Sequence, residues 1–155
     1  MTASLRPIDL DRLPAWIDRS AAEYAADLVT TGKSADEAAR QAAEGMAESF
    51  PNGELSPGHA VFDVMDGDAV VGYLWIGPDT SGDESSWWIW DVLVEPGQRG
   101  RGLGREAMRL GEEYARAQGA HSIGLHVFGF NTAAHRLYES LGYETTSIRM
   151  RKRLE

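Results

Sequence analysis

The stretch Trp87-Trp88-Ile89-Trp90-Asp91-Val92-Leu93-Val94-Glu95-Pro96-Gly97-Gln98-Arg99-Gly100-Arg101-Gly102-Leu103-Gly104 decides the fold. Its first half, extended by Ser86, is rich in tryptophan and aliphatic residues, the composition of a largely buried strand. Its second half places glycine at every other position from Gly100 to Gly104, with arginine at 99, 101 and 105. Helical spacing follows from about Gly102 to Gln118, and Gly119 is a natural residue to end it. Ser122 to Phe128 is strand-like again. Strand, glycine loop, helix and strand make a βαβ unit, whose two strands should be parallel neighbours.

The loop's chemistry follows from its place. Glycines let a ligand approach the backbone with no Cβ in the way. The N–H groups of the first helical turn lack intrahelical partners and sit at the positive end of the helix dipole. A pyrophosphate suits such a site, and Arg99, Arg101 and Arg105 add charge. A dinucleotide fingerprint would space its glycines G-x-G-x-x-G and place an acidic residue about 20 positions on. A P-loop would end in G-K-[ST], which Gly104-Arg105 does not supply. A tight, glycine-rich βα turn without a ligand is the structural alternative.

Outward from this unit, Leu5 to Ile8 reads as a short first strand. Asp11 to Thr30 carries a helical stripe of Leu13, Trp16, Ile17, Tyr24 and Leu28. Ser34 with Glu37 forms a capping box, opening a second helix that runs to about Ser49, before Pro51. His59 to Met65 and Ala69 to Ile76 flank Asp66-Gly67-Asp68 and read as a hairpin. Thr132 to Leu141 is helical, and Ile148 to Leu154 reads as a closing strand. The expected order is β-αα-βββ-α-β-α-β: an α/β (α+β) fold with a mixed, mostly antiparallel sheet flanked by helices.

Bulk properties narrow the classes. The 155 residues, 43% of them apolar, suit one domain over 1–155 with one core. No cysteine is present, which removes disulfides, thiolate zinc sites and a thiol nucleophile. The four histidines lack ligand spacing, so no metal is expected. No stretch nears the roughly 18 apolar residues of a membrane span, so a soluble, cytoplasmic protein is expected. Net charge is −9, unevenly spread. From Met1 to Glu95, 5 Lys/Arg stand against 18 Asp/Glu, a balance of −13; from Pro96 to Glu155, 10 stand against 6, a balance of +4. The acidic half repels nucleic acid and attracts cations, and the basic half suits an anionic ligand. A solvated surface is the plainer explanation.

Two blocks carry a family resemblance. Val94-Glu95-Pro96 followed by Arg99-Gly100-Arg101-Gly102-Leu103-Gly104 resembles the R/Q-x-x-G-x-G/A signature of GNAT acetyltransferases. Asn131-Thr132-Ala133-Ala134-His135-Arg136-Leu137-Tyr138-Glu139-Ser140-Leu141-Gly142-Tyr143 resembles their N-x-x-A-x-x-L-Y-E-x-L-G-F/Y block. The resemblance implies transfer of an acetyl group from acetyl-CoA to a primary amine by direct attack. It implies that the backbone of Val92, Leu93 and Val94 pairs with the pantetheine arm, like an added strand. It implies that Arg99, Gly100, Arg101, Gly102, Leu103, Gly104 and Arg105 hold the pyrophosphate. Asn131 would hydrogen-bond the cofactor near its arm, and Tyr138 would return a proton to the leaving thiolate. A phenol near pKa 10 can serve a thiolate near 8.5; an ordinary core tyrosine is the alternative.

The base is not marked by a motif. His126, read as mid-strand, and Asp91, on the strand beside the cofactor segment, are the candidates, with a water relay as a third option. Trp88, Trp90, Trp75 and Tyr73 could wall an acceptor pocket and hold an ammonium, or simply pack the sheet. Glu44, Glu48, Glu54, Asp83 and Glu84 are the acids expected to draw in a cation. The expected partner is a small-molecule or peptide amine, with a homodimer allowed and neither nucleic acid nor membrane expected. A catalytically idle module that senses acyl-CoA, and a nucleotide-binding protein using the same loop, are the rival readings.

Overall fold

The structure is a computed structural model that describes residues 2–155. Five strands form one sheet in the order β1-β2-β3-β4-β5. They are β1 (Ala3–Pro7), β2 (Ala60–Asp66), β3 (Ala69–Pro78), β4 (Ser86–Val94) and β5 (Ser122–Leu125). The first three pairings are antiparallel and β4–β5 is parallel, as the βαβ spacing requires. The helices are α1 (Leu13–Thr30), α2 (Ala35–Ser49), α3 (Leu103–Ala117) and α4 (Thr132–Ser140). Among the described residues no helix is long and apolar enough to cross a membrane.

Local chemistry sets most boundaries. Ser34 Oγ accepts from Glu37 N at 3.2 Å and caps α2. Asp9 caps a single 3-10 turn, Leu10–Arg12, that leads into α1. Gly67 (φ 59°) turns the β2–β3 hairpin, and Gly119 (φ 99°) ends α3.

Each face of the sheet carries its own core. Leu74, Ile76, Trp87 and Ile89 meet Leu103, Ala107 and Met108 of α3. Here Gly111 matters, because a Cβ there would lie 2.9 Å from Leu74 Cδ2; its absence lets α3 close onto β3. On the other face Tyr73 and Trp75 meet Trp16 of α1, together with Phe50. Asp63, 3% exposed, is held there by Arg12 at 2.7 and 3.2 Å and by Arg6 at 3.3 Å.

Two expectations fail at the C-terminal side. The strand expected over Ser122 to Phe128 stops at Leu125, so His126 lies just beyond it. The reason is in β4. Ile76 pairs with Ile89 and Trp75 with Asp91, which leaves Trp90 as an extra, bulged residue. The parallel ladder ends at Ile89–Leu125, where the bulge begins, and β5 has no partner to continue along. The closing strand over Ile148 to Leu154 is also absent: no helix or strand follows Ser140. Its alternating pattern is present, but no strand of this chain receives it.

Candidate active site

The parting of β4 from β5 makes the site. From Trp90 to Val94, β4 keeps β3 on one side and has no strand on the other. All five residues are half-buried. Their free backbone groups form a strand edge that an extended ligand can pair with. The bulge also turns Trp90 and Asp91 together toward the α1 face, where the Trp90 ring stacks on Trp75 (centroids 5.4 Å apart).

Just past this edge α3 begins. Its N-cap is Gly102 (φ 78°), with no side-chain cap. The N–H of Glu106 bonds the Gly102 carbonyl at 3.1 Å; those of Leu103, Gly104 and Arg105 precede that first bond and are left for another acceptor. A Cβ at Gly100 would meet nothing within 4 Å, and one at Gly104 would already touch Leu137 at 3.4 Å. The arginines are not equivalent. Arg99 Nε donates to the Val94 carbonyl at 3.0 Å, across the end of the strand edge. Arg105 donates to Ser140 Oγ at 2.8 Å and ties α3 to α4. Arg101 is paired with Asp66 and Gln98, and its bond holds the Asp66 carboxyl below the usual range.

Asp91 sits in the parting. Its Oδ2 accepts from Ser20 Oγ at 2.6 Å and Tyr73 Oη at 3.1 Å. Burial pushes its pKa up; the two hydrogen bonds oppose that shift, while the charges of Glu23 and Asp27 add to it. Tyr138, on α4, has its phenol pKa raised by burial and then by the charge of Asp91. Among the described residues its hydroxyl has no hydrogen-bond partner. The charge of Asp91 thus reaches Tyr138, although Asp91 is bonded on the α1 side of the sheet and Tyr138 packs against the α3-side core.

The remaining expected residues are less committed. His126 is exposed and meets the edge of Phe128 at 4.9 Å. Among the described residues no hydrogen bond orients it. Asn131 caps α4, its Oδ1 accepting from Ala134 N at 3.2 Å, which leaves its amide N–H groups free. Val92, Leu93 and Val94 form the open edge. Trp88 lies over Gly124 and contacts Trp90 edge-on, whereas Trp87 and Trp75 are core residues, 4% and 5% exposed.

Four neighbours of Asp91 and Trp90 escaped the sequence reading. Ser20, Glu23 and Asp27 fall at i, i+3 and i+7, one face of α1; a polar line at helical spacing was the available signal. His59 had none. Its Nδ1 accepts from Trp75 Nε1 at 3.0 Å, and its ring lies 5.6 Å from Trp90. Burial lowers its pKa, so it is a neutral ring whose second nitrogen carries the proton. Gly77 makes room for it, since a Cβ there would stand 2.7 Å from the imidazole.

Comparison with known proteins identifies the family and the fold. Residues 23–143 match the acetyltransferase (GNAT) family. The N-acetyltransferase YdgE of Bacillus subtilis is 33% identical, over 99% of both chains. The crystal structure of the acetyltransferase YycN from the same organism superposes with a TM-score of 0.91 at 26% identity, over 99% of both chains. The aminoglycoside N-acetyltransferase AAC(6')-Iy, solved in complex with CoA, shares the fold at 16% identity, with a TM-score of 0.59 over 99% of this chain and 95% of that one.

Proposed function

The chain belongs to the acetyltransferase (GNAT) family, and from that premise we propose that it acts, as a single domain, by moving an acetyl group from acetyl-CoA directly to a primary amine. The observation that carries this is the open β4 edge from Trp90 to Val94, running toward the uncapped start of α3. An extended pantetheine arm has a strand edge to pair with, and its pyrophosphate has the N–H groups of Leu103, Gly104 and Arg105, with Arg99 and Arg105 alongside. Asn131 offers its free amide N–H groups from the start of α4. AAC(6')-Iy, which shares the fold, was solved in complex with CoA, and the same class of cosubstrate is proposed for this chain.

Asp91 takes the acceptor's ammonium proton, directly or through water, and passes it to solvent. Its raised pKa brings it closer to neutral pH, where a base works best. The freed nitrogen attacks the thioester carbon; a C–N bond forms and, as the tetrahedral adduct collapses, the C–S bond breaks. Tyr138 donates its proton to the thiolate and is reprotonated as the nitrogen gives up its second proton. One ammonium and one thioester become one amide, one thiol and one released proton. Asp91 is preferred to His126 because it is buried and oriented by two donors. A cationic acceptor is favoured, since Glu23 and Asp27 place negative charge around Asp91 and Trp90 adds an aromatic face.

Release of free thiol should be followed over a panel of mono-, di- and polyamines with acetyl-CoA, and the products identified by mass spectrometry. Amine-dependent thiol release with an N-acetylated product is expected. Tight acetyl-CoA binding without turnover on any amine would overturn the proposal in favour of an idle binding module.

A further inference from the structure

Arg101 stands between two glycines in the left-handed region, Gly100 (φ 81°) and Gly102 (φ 78°). Glycine enters and leaves that region with no Cβ to oppose it. A loop built this way can take the shape a phosphate needs, but its own backbone does little to keep it there.

A side-chain strut supplies what the backbone lacks. Arg101 Nη2 donates to Asp66 Oδ2 across 35 residues of sequence, and Arg101 Nη1 donates to Gln98 Oε1. Asp66 is the firm end of the strut. It closes β2, where it faces Ala3 of β1 on one side and Ala69 of β3 on the other. Its carboxylate also accepts a bond from the Thr2 backbone, and the next N–H, that of Gly67, bonds the Thr2 carbonyl at 3.1 Å. The hairpin end is thus fixed by the sheet, and the loop leans on it.

The neighbouring arginines make the contrast. Arg99 donates to the Val94 carbonyl and Arg105 to the Ser140 hydroxyl, both neutral acceptors. Among the described residues neither makes an ion pair, so each keeps its charge for an anion. Arg101 has its charge met by a carboxylate that is only 23% exposed. That arrangement wastes a phosphate ligand and suits a brace.

We propose that Asp66 is a positioning residue for the acyl-CoA site: through Arg101 it holds the Gly100–Gly102 backbone in the shape that presents the N–H groups of Leu103, Gly104 and Arg105, and Arg101 is a strut rather than a phosphate ligand. The inference rests on the acetyl-CoA reading above. A loop ordered before binding spares the cosubstrate the cost of ordering it.

Calorimetry with acetyl-CoA on the full chain separates strut from ligand by sign. Asp66→Asn should weaken binding roughly three- to tenfold. Arg101→Gln should weaken it by a similar factor, and the two together should cost no more than either alone. Asp66→Glu, which keeps the charge, should recover part of the loss. With no ligand present, amide exchange at Gly100–Gly102 should be faster in Asp66→Asn than in wild type. In turnover, KM for acetyl-CoA should rise while KM for the amine stays put. Tighter binding by Asp66→Asn would show Arg101 released to the phosphates and would overturn the strut. Unchanged affinity and exchange, or losses that add in the double variant, would overturn it as well. A wild type that binds no acetyl-CoA would instead sink the acetyltransferase reading, and this role with it.

Discussion

Ser20 Oγ donates to Asp91 Oδ2 at 2.6 Å across 71 residues of sequence, from α1 to the bulged part of β4. This bond favours the charged carboxylate and works against the burial that raises its pKa. Ser20→Ala should therefore raise that pKa further and move the acidic limb of kcat/KM against pH to higher pH. Asp91→Asn should lower turnover by roughly 10²- to 10⁴-fold. Stability should move the other way. A carboxyl with a raised folded pKa binds protons more readily when folded, so its charge costs stability as pH rises through that range. Asp91→Asn should then melt at a higher temperature than wild type at neutral pH and at the same temperature in strong acid. An unmoved acidic limb in Ser20→Ala would remove Asp91 from the base role and return it to His126 or water.

Tyr138→Phe keeps the ring that packs against the α3-side core and removes the hydroxyl proposed to protonate the leaving thiolate. Turnover should fall about 10²- to 10⁴-fold while acetyl-CoA affinity, read by calorimetry, stays nearly constant. Near wild-type turnover would reduce Tyr138 to a packing residue.

Substitutions at the start of α3 test the proposed cofactor site. Gly102 has φ 78°, a conformation that L residues adopt at a cost of about 1–2 kcal/mol. Gly102→Glu adds that strain and a negative charge beside the free N–H groups. Acetyl-CoA affinity should drop at least about tenfold, or roughly 1.4 kcal/mol. Gly102→Ala carries the strain without the charge and should bind better than the glutamate variant; equal binding by both would show that no anion sits there.

The βαβ unit was legible because its signals are local: a tryptophan-rich strand, alternating glycines and a helix of clear period. The relation of Asp91 to Ser20 was not, since nothing local tells α1 which strand it will cover. His126 was placed in a strand because its segment is strand-like. Where that ladder stops is set by the bulge at Trp90, which is visible only once Trp75 is known to face Asp91. The C-terminal segment shows the same limit from the other side: Ile148, Met150 and Leu154 spell a strand, but alternation does not say which edge receives it.

Gly77 and His59 offer a test of the aromatic wall. Gly77→Ala puts a methyl group 2.7 Å from the imidazole, so His59 must move and its bond from Trp75 Nε1 must break. Overpacking of this kind costs about 1–3 kcal/mol. Chemical denaturation should show that loss, and tryptophan emission should shift. His59→Ala in the same background should recover part of the stability by emptying the slot; no recovery would mean that the methyl group clashes elsewhere.

The last prediction concerns the charge of the acceptor. Glu44, Glu48 and Glu54 are exposed on α2 and the turn after it, and Asp83 is engaged by Ser85 within its own loop. The acids whose fields reach Asp91 are instead Glu23 and Asp27 of α1. Asp27 is itself pushed toward the neutral form, by burial first and by Glu23 second. A bound ammonium would relieve that repulsion, so these two residues should select cations, whereas the outer acids should only steer them. The contributions separate by salt and by mutation. Steering from exposed charge fades as the Debye length shrinks from about 10 Å at 0.1 M to about 3 Å at 1 M. Efficiency toward a cationic amine should therefore fall with salt, mainly through KM. Glu23→Gln with Asp27→Asn should raise KM for the cationic acceptor at every salt concentration, leave acetyl-CoA affinity unchanged, and narrow the preference over a neutral amine of the same size. They should also lower the pKa of Asp91, because both charges now raise it, and so shift the acidic limb to lower pH. A double variant with wild-type KM, or a best acceptor that is neutral or acidic, would reduce these carboxylates to solvated surface.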